Sequence, residues 1–190
     1  LCEAFDAWYN NGDPQISIRF FDNILAVNLH QPAELCMNQE TCPKTLILEQ
    51  NGDAYPCDFF IHDDYKLGNV GVDSLETIVN HEKWDEFLSL KPTLPEQCKT
   101  CEFLKYCHGG CPRNRVRNNN ELDVEYFCES YKQIYRYAEE RIREVTQTVK
   151  RRRINEYREA GYPLPGRNES CICGSGKKFK KCCEPMLKIQ

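Results

Sequence analysis

Residues 98–112 read CKTCEFLKYCHGGCP, so that four cysteines fall within fourteen positions. Their spacing is Cys98-x2-Cys101-x5-Cys107-x3-Cys111. Short separations of this kind let one loop bring several thiolates around a single inorganic core, as in iron–sulfur proteins. The pair Gly109-Gly110 lets the backbone pass close to a bulky group and aim N–H groups at its sulfurs, because glycine has no side chain. The stretch therefore predicts a metal-binding loop.

Four more cysteines bring this set to eight. Upstream the spacing is Cys36-x5-Cys42-x14-Cys57, and downstream Cys128 follows Cys111 with sixteen residues between them. Eight thiolates are what two four-iron clusters with only cysteine ligands require. Two tetrahedral zinc ions require the same number, and soft thiolates suit either metal. The cysteines leave both alternatives open, and the glycine pair favours the clusters.

The whole chain has thirteen cysteines in 190 residues. Disulfide-stapled domains are also rich in cysteine, but they are small and secreted and have an even number. Here the number is odd, the spacings are those of metal ligands, and no basic region followed by an apolar stretch marks a secretory signal. A reducing cytoplasm is therefore the predicted location, where cysteines serve as ligands.

The ends and the hydropathy of the chain add two expectations. The chain begins at Leu1 instead of a methionine, which fits a fragment or a processed product better than a complete one. No run of about 18 apolar residues occurs, so the sequence predicts no transmembrane helix and no membrane partner.

Charge is distributed unevenly along the chain. The net charge is −4, but residues 150–190 contain 11 Lys and Arg against 4 Asp and Glu, a net of +7. The first 149 residues therefore carry a net charge of −11. An acidic body with a basic end suggests that the end has its own partner, an acidic protein or a nucleic acid. A solvated helix face explains the same charges equally well.

Two short patterns predict β-structure. Ile16, Ile18 and Phe20 alternate with polar residues, which favours a half-buried strand. Residues 45–55 predict a hairpin, because apolar segments flank Asn51-Gly52, a dipeptide that accepts the positive φ angles of a tight turn.

Helical patterns occupy three other regions. Residues 5–9 read as the end of a helix that a turn closes. Ser74 is predicted to cap one helix that continues through Leu88 and ends before Pro92. Residues 129–160 form a long helical pattern with a narrow apolar stripe at steps of three and four.

The last part of the chain predicts a second metal site. Residues 163–166 read as a linker to a separate C-terminal unit of about 25 residues. This unit contains Cys171-x-Cys173 and Cys182-Cys183, the four thiolates of a closed structural zinc site. So short a segment cannot bury a sufficient core, and the metal is expected to supply much of its folding free energy.

The cysteine spacings and their neighbours resemble the SPASM domain of radical S-adenosylmethionine (SAM) enzymes. The similarity is carried by Asn51-Gly52-Asp53-Ala54-Tyr55-Pro56-Cys57-Asp58-Phe59-Phe60, Tyr65-Lys66-Leu67-Gly68-Asn69 and Cys107-His108-Gly109-Gly110-Cys111-Pro112. These stretches are similar in particular to the anaerobic sulfatase-maturating enzymes. The resemblance extends over roughly residues 15–135.

The resemblance implies two auxiliary [4Fe–4S] clusters and a division of the eight ligands between them. The first cluster is expected to be held by Cys36, Cys42, Cys57 and Cys111. The second is expected to be held by Cys98, Cys101, Cys107 and Cys128. Spacing alone does not give this division, although a ligand that crosses to the other cluster also occurs in two-cluster ferredoxins.

The resemblance also implies a reaction. In that family a cysteine or serine of a sulfatase is oxidised to Cα-formylglycine after a deoxyadenosyl radical removes a hydrogen, and the auxiliary clusters carry the released electron away. The aspartate directly after the third cysteine, Asp58 here, is expected to act as general base. From the residues alone, an aspartate that hydrogen-bonds the turn backbone is the simpler interpretation.

One departure from the family pattern limits these expectations. The radical SAM signature Cys-x3-Cys-x2-Cys is absent from the sequence. The barrel that binds SAM and a third [4Fe–4S] cluster is therefore expected N-terminal to Leu1. The chain is predicted to be the auxiliary part of a radical SAM oxidoreductase with a sulfatase-like peptide or protein substrate, and not to be catalytic alone. The competing hypothesis is a metal-stabilised protein-interaction scaffold without catalysis, and nucleic-acid binding is a weaker third.

Residues 166–183 resemble the SEC-C motif, which is found at the end of the SecA translocation ATPase and in unrelated proteins. Cys183 stands where a histidine is frequent, an exchange that zinc tolerates. The resemblance implies a small protein-interaction module with its basic side toward a partner protein. The basic residues are Lys177, Lys178, Lys180 and Lys181.

The predicted fold class is α+β. It is a small cysteine-rich domain with short β-hairpins and helices around two iron–sulfur clusters, followed by a long helix and a zinc knuckle. The predicted limits are 1–30 for the end of a preceding catalytic domain or a connector, 31–135 for the SPASM-like domain, 129–160 for the long amphipathic helix and 166–186 for the SEC-C motif.

Overall fold

The computed structural model describes residues 1–118 and 121–188. The helices in these residues are α1 (Cys2–Tyr9), α2 (Arg19–Asn28), α3 (Leu75–Val79), α4 (Lys83–Leu90), α5 (Glu96–Lys99), α6 (Leu104–Cys107) and α7 (Cys128–Glu159). The strands are β1 (Ile47–Leu48), β2 (Asp53–Tyr55), β3 (Gly68–Asn69), β4 (Arg115–Asn118) and β5 (Glu121–Glu125). The predicted mixture of helices and small sheets is confirmed. Two compact units result, one formed by Leu1–Leu35 with Ser130–Gln190 and the other by Cys36–Glu129.

Aromatic side chains build the core of the first unit. Phe5 and Trp8 on α1 are fully buried. The ring of Phe5 lies 5.3 Å from that of Phe21 on α2, and Phe20 stacks on Tyr135 of α7 with only 8° between the ring planes. Large rings in such contacts bury much apolar area, so α1, α2 and α7 are stabilised together.

The long helix α7 confirms the predicted helix over 129–160. Its buried residues follow steps of three and four and include Ile134, Ala138, Ile142 and Val145. On its polar side Arg143 pairs with Glu139 one turn away. An apolar stripe with a charged opposite face is the pattern of a helix that packs on one side only.

The strand predicted at Ile16, Ile18 and Phe20 is wrong. Ile16 is 56% exposed, and Ile18 is the N-cap residue of α2. The residues that follow place Phe21 and Ile24 on one buried face at helical spacing. This longer helical period outweighs a three-residue alternation, because the buried face of α2 is set by all of its ten residues.

The second unit contains the predicted hairpin. β1 pairs antiparallel with β2, with Ile47 opposite Tyr55, and β2 pairs antiparallel with β3. Gly52 has a φ of +86° at the turn, a conformation that glycine adopts without steric cost. β4 pairs antiparallel with β5.

The single helix predicted from Ser74 is two helices, α3 and α4. Ser74 caps α3 as expected, because its Oγ accepts the N–H three residues later at 3.1 Å. The indole of Trp84 donates to the carbonyl of Ile78 at 3.0 Å, a group that a continuous helix would use in its own ladder. The Nδ1 atom of His81 then accepts the N–H of Lys83 at 3.2 Å and helps to start α4.

The C-terminal segment packs against helix α7. Ile154 of α7 is buried with Cys171, Cys173, Phe179 and Cys183 in one apolar cluster. Arg153 of the same helix donates from Nη1 to the carbonyl of Cys173 at 2.6 Å. The composition of residues 163–166 carries no information about the helix face against which the segment packs.

Candidate functional site

Four predicted ligands line one cavity of about 290 Å3. They are Cys36, Cys42, Cys57 and Cys111, here called the first thiol set. Cys36 begins a short 3-10 turn, Cys57 follows β2, and Cys111 precedes another 3-10 turn. Asp58 lines the same cavity. The fold thus brings together thiols that are up to 75 residues apart in sequence.

The thiols of the first set influence one another electrostatically. Burial raises the pKa of Cys42, Lys91 opposes this rise, and the neighbouring Cys111 and Cys36 add to it. Burial also raises the pKa of Cys57 to about 11, and Cys111 is among the groups that contribute. Cys42 and Cys57 therefore keep their protons near neutral pH, and a bound metal displaces them.

The other four predicted ligands form a second thiol set, Cys98, Cys101, Cys107 and Cys128. Cys98 lies in α5, Cys107 ends α6, and Cys128 begins α7. Burial raises the pKa of Cys98, and Cys107, Cys128 and Cys101 raise it further. The thiols that raise the pKa of Cys98 thus belong to the second set. Those that raise the pKa of Cys42 belong to the first set.

The glycine pair lies in a loop with positive φ angles. The φ angles are +44° at His108, +75° at Gly109 and +69° at Gly110. A Cβ atom on Gly110 would lie 2.6 Å from the side chain of Glu125. Burial raises the pKa of Cys107, and the backbone N–H groups of Gly109 and Gly110 act against that rise. The loop therefore directs N–H groups at the sulfur of Cys107.

We expect Gly110→Ala to destabilise the protein more than Gly161→Ala. Both glycines have positive φ angles, but a Cβ on Gly161 would meet nothing within 4 Å. Backbone strain costs about 1–3 kcal/mol at either position, and Gly110 adds the clash with Glu125. The thermal unfolding midpoint of each variant is measured by circular dichroism. Equal decreases of this midpoint in the two variants would contradict the steric role of Gly110.

Asp58 is exposed at the surface beside the first thiol set. The thiol of Cys57 donates to its Oδ1 at 3.3 Å. The N–H of Phe59 donates to the Cys57 sulfur at 3.5 Å and not to the carboxylate. A carboxylate that lies next to a ligand thiol and reaches solvent can exchange protons with a molecule bound there.

Two buried cations lie close to these thiols, and neither was predicted from the sequence. Lys91 is 1% exposed and Arg115 is 7% exposed. The Nζ of Lys91 donates to Met37 O at 3.1 Å and to Gly110 O at 2.8 Å. The guanidinium of Arg115 donates to the backbone carbonyls of Leu90, Lys91, Thr93, His108 and Gly109.

A helical period could have identified Lys91. Trp84, Phe87 and Lys91 follow one another at steps of three and four, and the first two are buried. Burial lowers the pKa of Lys91, and Cys42 opposes this shift. Burial likewise lowers the pKa of Arg115, opposed by Cys98 and Cys42. Negative charge on these thiols would therefore favour the charged forms of the two side chains.

The C-terminal cysteines form a compact site. The Sγ atoms of Cys171, Cys173, Cys182 and Cys183 all lie within 4.8 Å of one another. Cys182 is 3.5 Å from Cys173 and 3.9 Å from Cys183. A tetrahedral ion with Zn–S bonds of about 2.3 Å separates its sulfurs by roughly 3.8 Å. The donor set therefore fits a structural zinc ion.

One thiol of this compact site is acidic even without metal. Burial by itself raises the pKa of Cys173, but hydrogen bonds from Ser175 and from neighbouring thiols outweigh it and lower that pKa to about 6. A thiolate that is present at neutral pH is the form that binds zinc.

The eight upstream thiols have a different arrangement. Among the residues that the structure describes, no three of these eight sulfurs lie close enough together to hold a single metal ion. All thirteen cysteines lie in the described ranges, and none forms a disulfide. Four thiols around one cavity, too widely spaced for one ion, fit a multi-iron core better than a single zinc ion.

One property of the helices concerns membranes. None of those described combines the length and the apolar composition that are needed to cross a bilayer.

Comparison with known families matches two parts of the chain. Residues 36–102 match SPASM, an iron–sulfur cluster-binding domain. Residues 167–185 match the SEC-C motif. The SPASM match covers most of the unit Cys36–Glu129. The SEC-C match contains the four cysteines of the compact C-terminal site.

Curated relatives are similar over a longer part of the chain. The cysteine-type anaerobic sulfatase-maturating enzyme of Clostridium perfringens is 35% identical over 154 residues, which are 79% of this chain and 41% of the relative. The serine-type enzyme of Bacteroides thetaiotaomicron is 34% identical over 141 residues, 73% of this chain and 34% of the relative. The chain thus spans about two fifths or less of the length of these relatives.

A solved structure agrees with these similarities. Native anSMEcpe with bound AdoMet and Kp18Cys peptide superposes with a TM-score of 0.69 at 34% identity, over 77% of this chain and 41% of that one. Fold and sequence therefore agree that this chain is similar to part of the anaerobic sulfatase-maturating enzymes, and its sequence matches the SPASM domain and then the SEC-C motif.

Proposed function

We propose that this chain is the auxiliary-cluster part of a radical SAM enzyme that modifies peptides, an anaerobic sulfatase maturase that converts cysteine or serine to Cα-formylglycine. The observation that carries the proposal is the meeting of Cys36, Cys42, Cys57 and Cys111 around one cavity beside Asp58. Relatives named as cysteine-type and serine-type maturases support the reaction, and a neighbour that holds AdoMet and a peptide supports the substrate class.

The first thiol set is proposed to hold one [4Fe–4S] cluster and the second set to hold another. The electrostatic grouping of the thiols supports this division, because Cys42 responds to Cys111 and Cys36 while Cys98 responds to Cys107, Cys128 and Cys101. Bound clusters would supply one-electron oxidation and reduction. SAM and a third cluster are proposed to bind to a part of the enzyme outside residues 1–190.

Asp58 is proposed as the general base. Its carboxylate would receive the proton that the thiol or hydroxyl of the substrate residue loses as the adjoining carbon is oxidised. Its exposure and its contact with the Cys57 sulfur support this role, because a substrate at the cavity could reach the carboxylate.

The C-terminal site is proposed to hold one structural zinc ion through Cys171, Cys173, Cys182 and Cys183. In this assignment the metal stabilises the segment, and the lysines Lys177, Lys178, Lys180 and Lys181 face a partner protein. The proposed domains are 1–30, 31–135, 129–160 and 166–186, and the proposed location is a reducing cytoplasm, where cysteines serve as ligands.

Metal analysis of the oxygen-free, reconstituted chain tests this function. We expect about eight iron and eight sulfide from two four-iron clusters, and about one zinc that survives as a structural ion, per chain. Broad visible absorption should accompany the iron. Zinc at every site without iron would overturn the electron-transfer role and leave a metal-stabilised scaffold.

A further inference from the structure

Lys91 and Arg115 place two positive charges in the interior of the unit Cys36–Glu129. Both side chains are bonded to backbone carbonyls. Carbonyl groups satisfy the N–H donors but leave the net charge in place. A buried charge without a compensating charge of opposite sign costs several kcal/mol. The interior should therefore contain negative charge near these two residues.

Carboxylates do not supply enough of that charge. Glu125 is the one buried carboxylate among the described residues. Its Oε1 accepts from Asn114 Nδ2 at 3.0 Å, and its Oε2 accepts from Phe127 N at 3.0 Å. It forms no ion pair with Lys91 or Arg115 in the described part of the chain. At most it offers one negative charge against two positive ones.

The thiol sets are the remaining source of negative charge. Lys91 lines the cavity of the first thiol set, and its Nζ bonds Met37 O and Gly110 O, which adjoin Cys36 and Cys111. The guanidinium of Arg115 bonds the carbonyls of His108 and Gly109. These two residues lie in the loop between Cys107 and Cys111, which joins the two sets.

We propose that Lys91 and Arg115 form a buried cationic bridge that raises the reduction potentials of the two iron–sulfur clusters. The inference rests on the proposed function, since it requires clusters at the thiol sets. Reduction adds one negative charge to a cluster, and a cation in a region of low dielectric constant stabilises the reduced state more than the oxidised one. Lys91 acts mainly on the first cluster, whose cavity it lines, and Arg115 acts on both.

Neutralising Lys91 tests the bridge. In Lys91→Gln the amide can still donate to the two carbonyls, but the charge is gone. The matched control is Lys44→Gln, which removes an exposed charge two residues from Cys42. Electron paramagnetic resonance during a redox titration of the reconstituted chain measures the midpoint potentials of both clusters. The signal that is missing in Cys111→Ala belongs to the first cluster.

We expect Lys91→Gln to lower the reduced-to-oxidised ratio of the first cluster at least tenfold at the wild-type midpoint, a shift of about 59 mV for one electron. Lys44→Gln should leave both midpoints unchanged, because water and salt screen an exposed charge. Arg115→Gln should lower both midpoints, and Arg115→Lys, which keeps the charge, should lower them less.

The outcomes separate this inference from the proposed function. A wild-type chain without iron overturns the proposed function itself. Two clusters in the wild type with midpoints that do not move in Lys91→Gln or Arg115→Gln overturn the bridge alone. If neither neutral variant takes up iron while Lys44→Gln does, the cations serve assembly, and the proposal that they set the potentials is wrong.

Discussion

Asp58→Asn should lower formation of Cα-formylglycine by about a hundredfold to ten-thousandfold, the range that a general base contributes. The substitution is nearly isosteric, but an amide cannot accept the substrate proton. It also leaves the Cys57 sulfur in place. The measurement is the mass of a cysteine or serine peptide after incubation with the complete enzyme, which includes the SAM-binding part.

The matched control for this prediction is Asp63→Asn. Asp63 is also exposed, lies five residues away, and does not line the cavity of the first thiol set. It should leave turnover within about twofold of wild type, since surface substitutions have small effects. Iron content and visible spectra must match in all three proteins. Unchanged turnover in Asp58→Asn with both clusters present would remove Asp58 as the base.

Cys111→Ala should remove about four of the eight iron atoms and make the second cluster easier to lose. Cys111 lines the first cavity, and only the loop residues 108–110 separate it from Cys107 of the second thiol set. That loop holds positive φ angles throughout. When Cys111 no longer binds the first cluster, the loop relaxes toward backbone conformations of lower energy, and Cys107 moves with the loop.

Iron and sulfide analysis measures this loss directly. The rate at which a chelator bleaches the remaining visible absorption measures the weakened second cluster. Cys2→Ala is the matched control, because Cys2 lies in α1 and in neither thiol set. Full iron content and two signals of wild-type intensity in Cys111→Ala would contradict the ligand assignment.

Local features of this chain were predictable because each depends on a few neighbouring residues. The hairpin around Asn51-Gly52 follows from a dipeptide that tolerates positive φ. The long helix α7 follows from an apolar stripe repeated over many turns. The compact C-terminal site follows from four cysteines within thirteen positions.

Some local predictions failed where too few residues were weighed. Three alternating apolar residues suggested a strand, yet the last of them, Phe20, lies in the ten-residue helix α2. The apolar pattern after Ser74 suggested one helix, yet a hydrogen bond from Trp84 to Ile78 replaces the helical ladder there. In the first case the period of the whole helix decided the backbone, and in the second a side-chain hydrogen bond did.

The sequence by itself determined the kind of chemistry in this protein. Thirteen cysteines at short spacings, together with a glycine pair before Cys111, indicate metal ligation without any knowledge of the fold. Only the tertiary structure brought Cys36, Cys42, Cys57 and Cys111 around one cavity, and only it buried Lys91 and Arg115. The physical reason is that the identity of a ligand atom belongs to the residue, whereas its distance to other ligands and its burial depend on everything that packs around it.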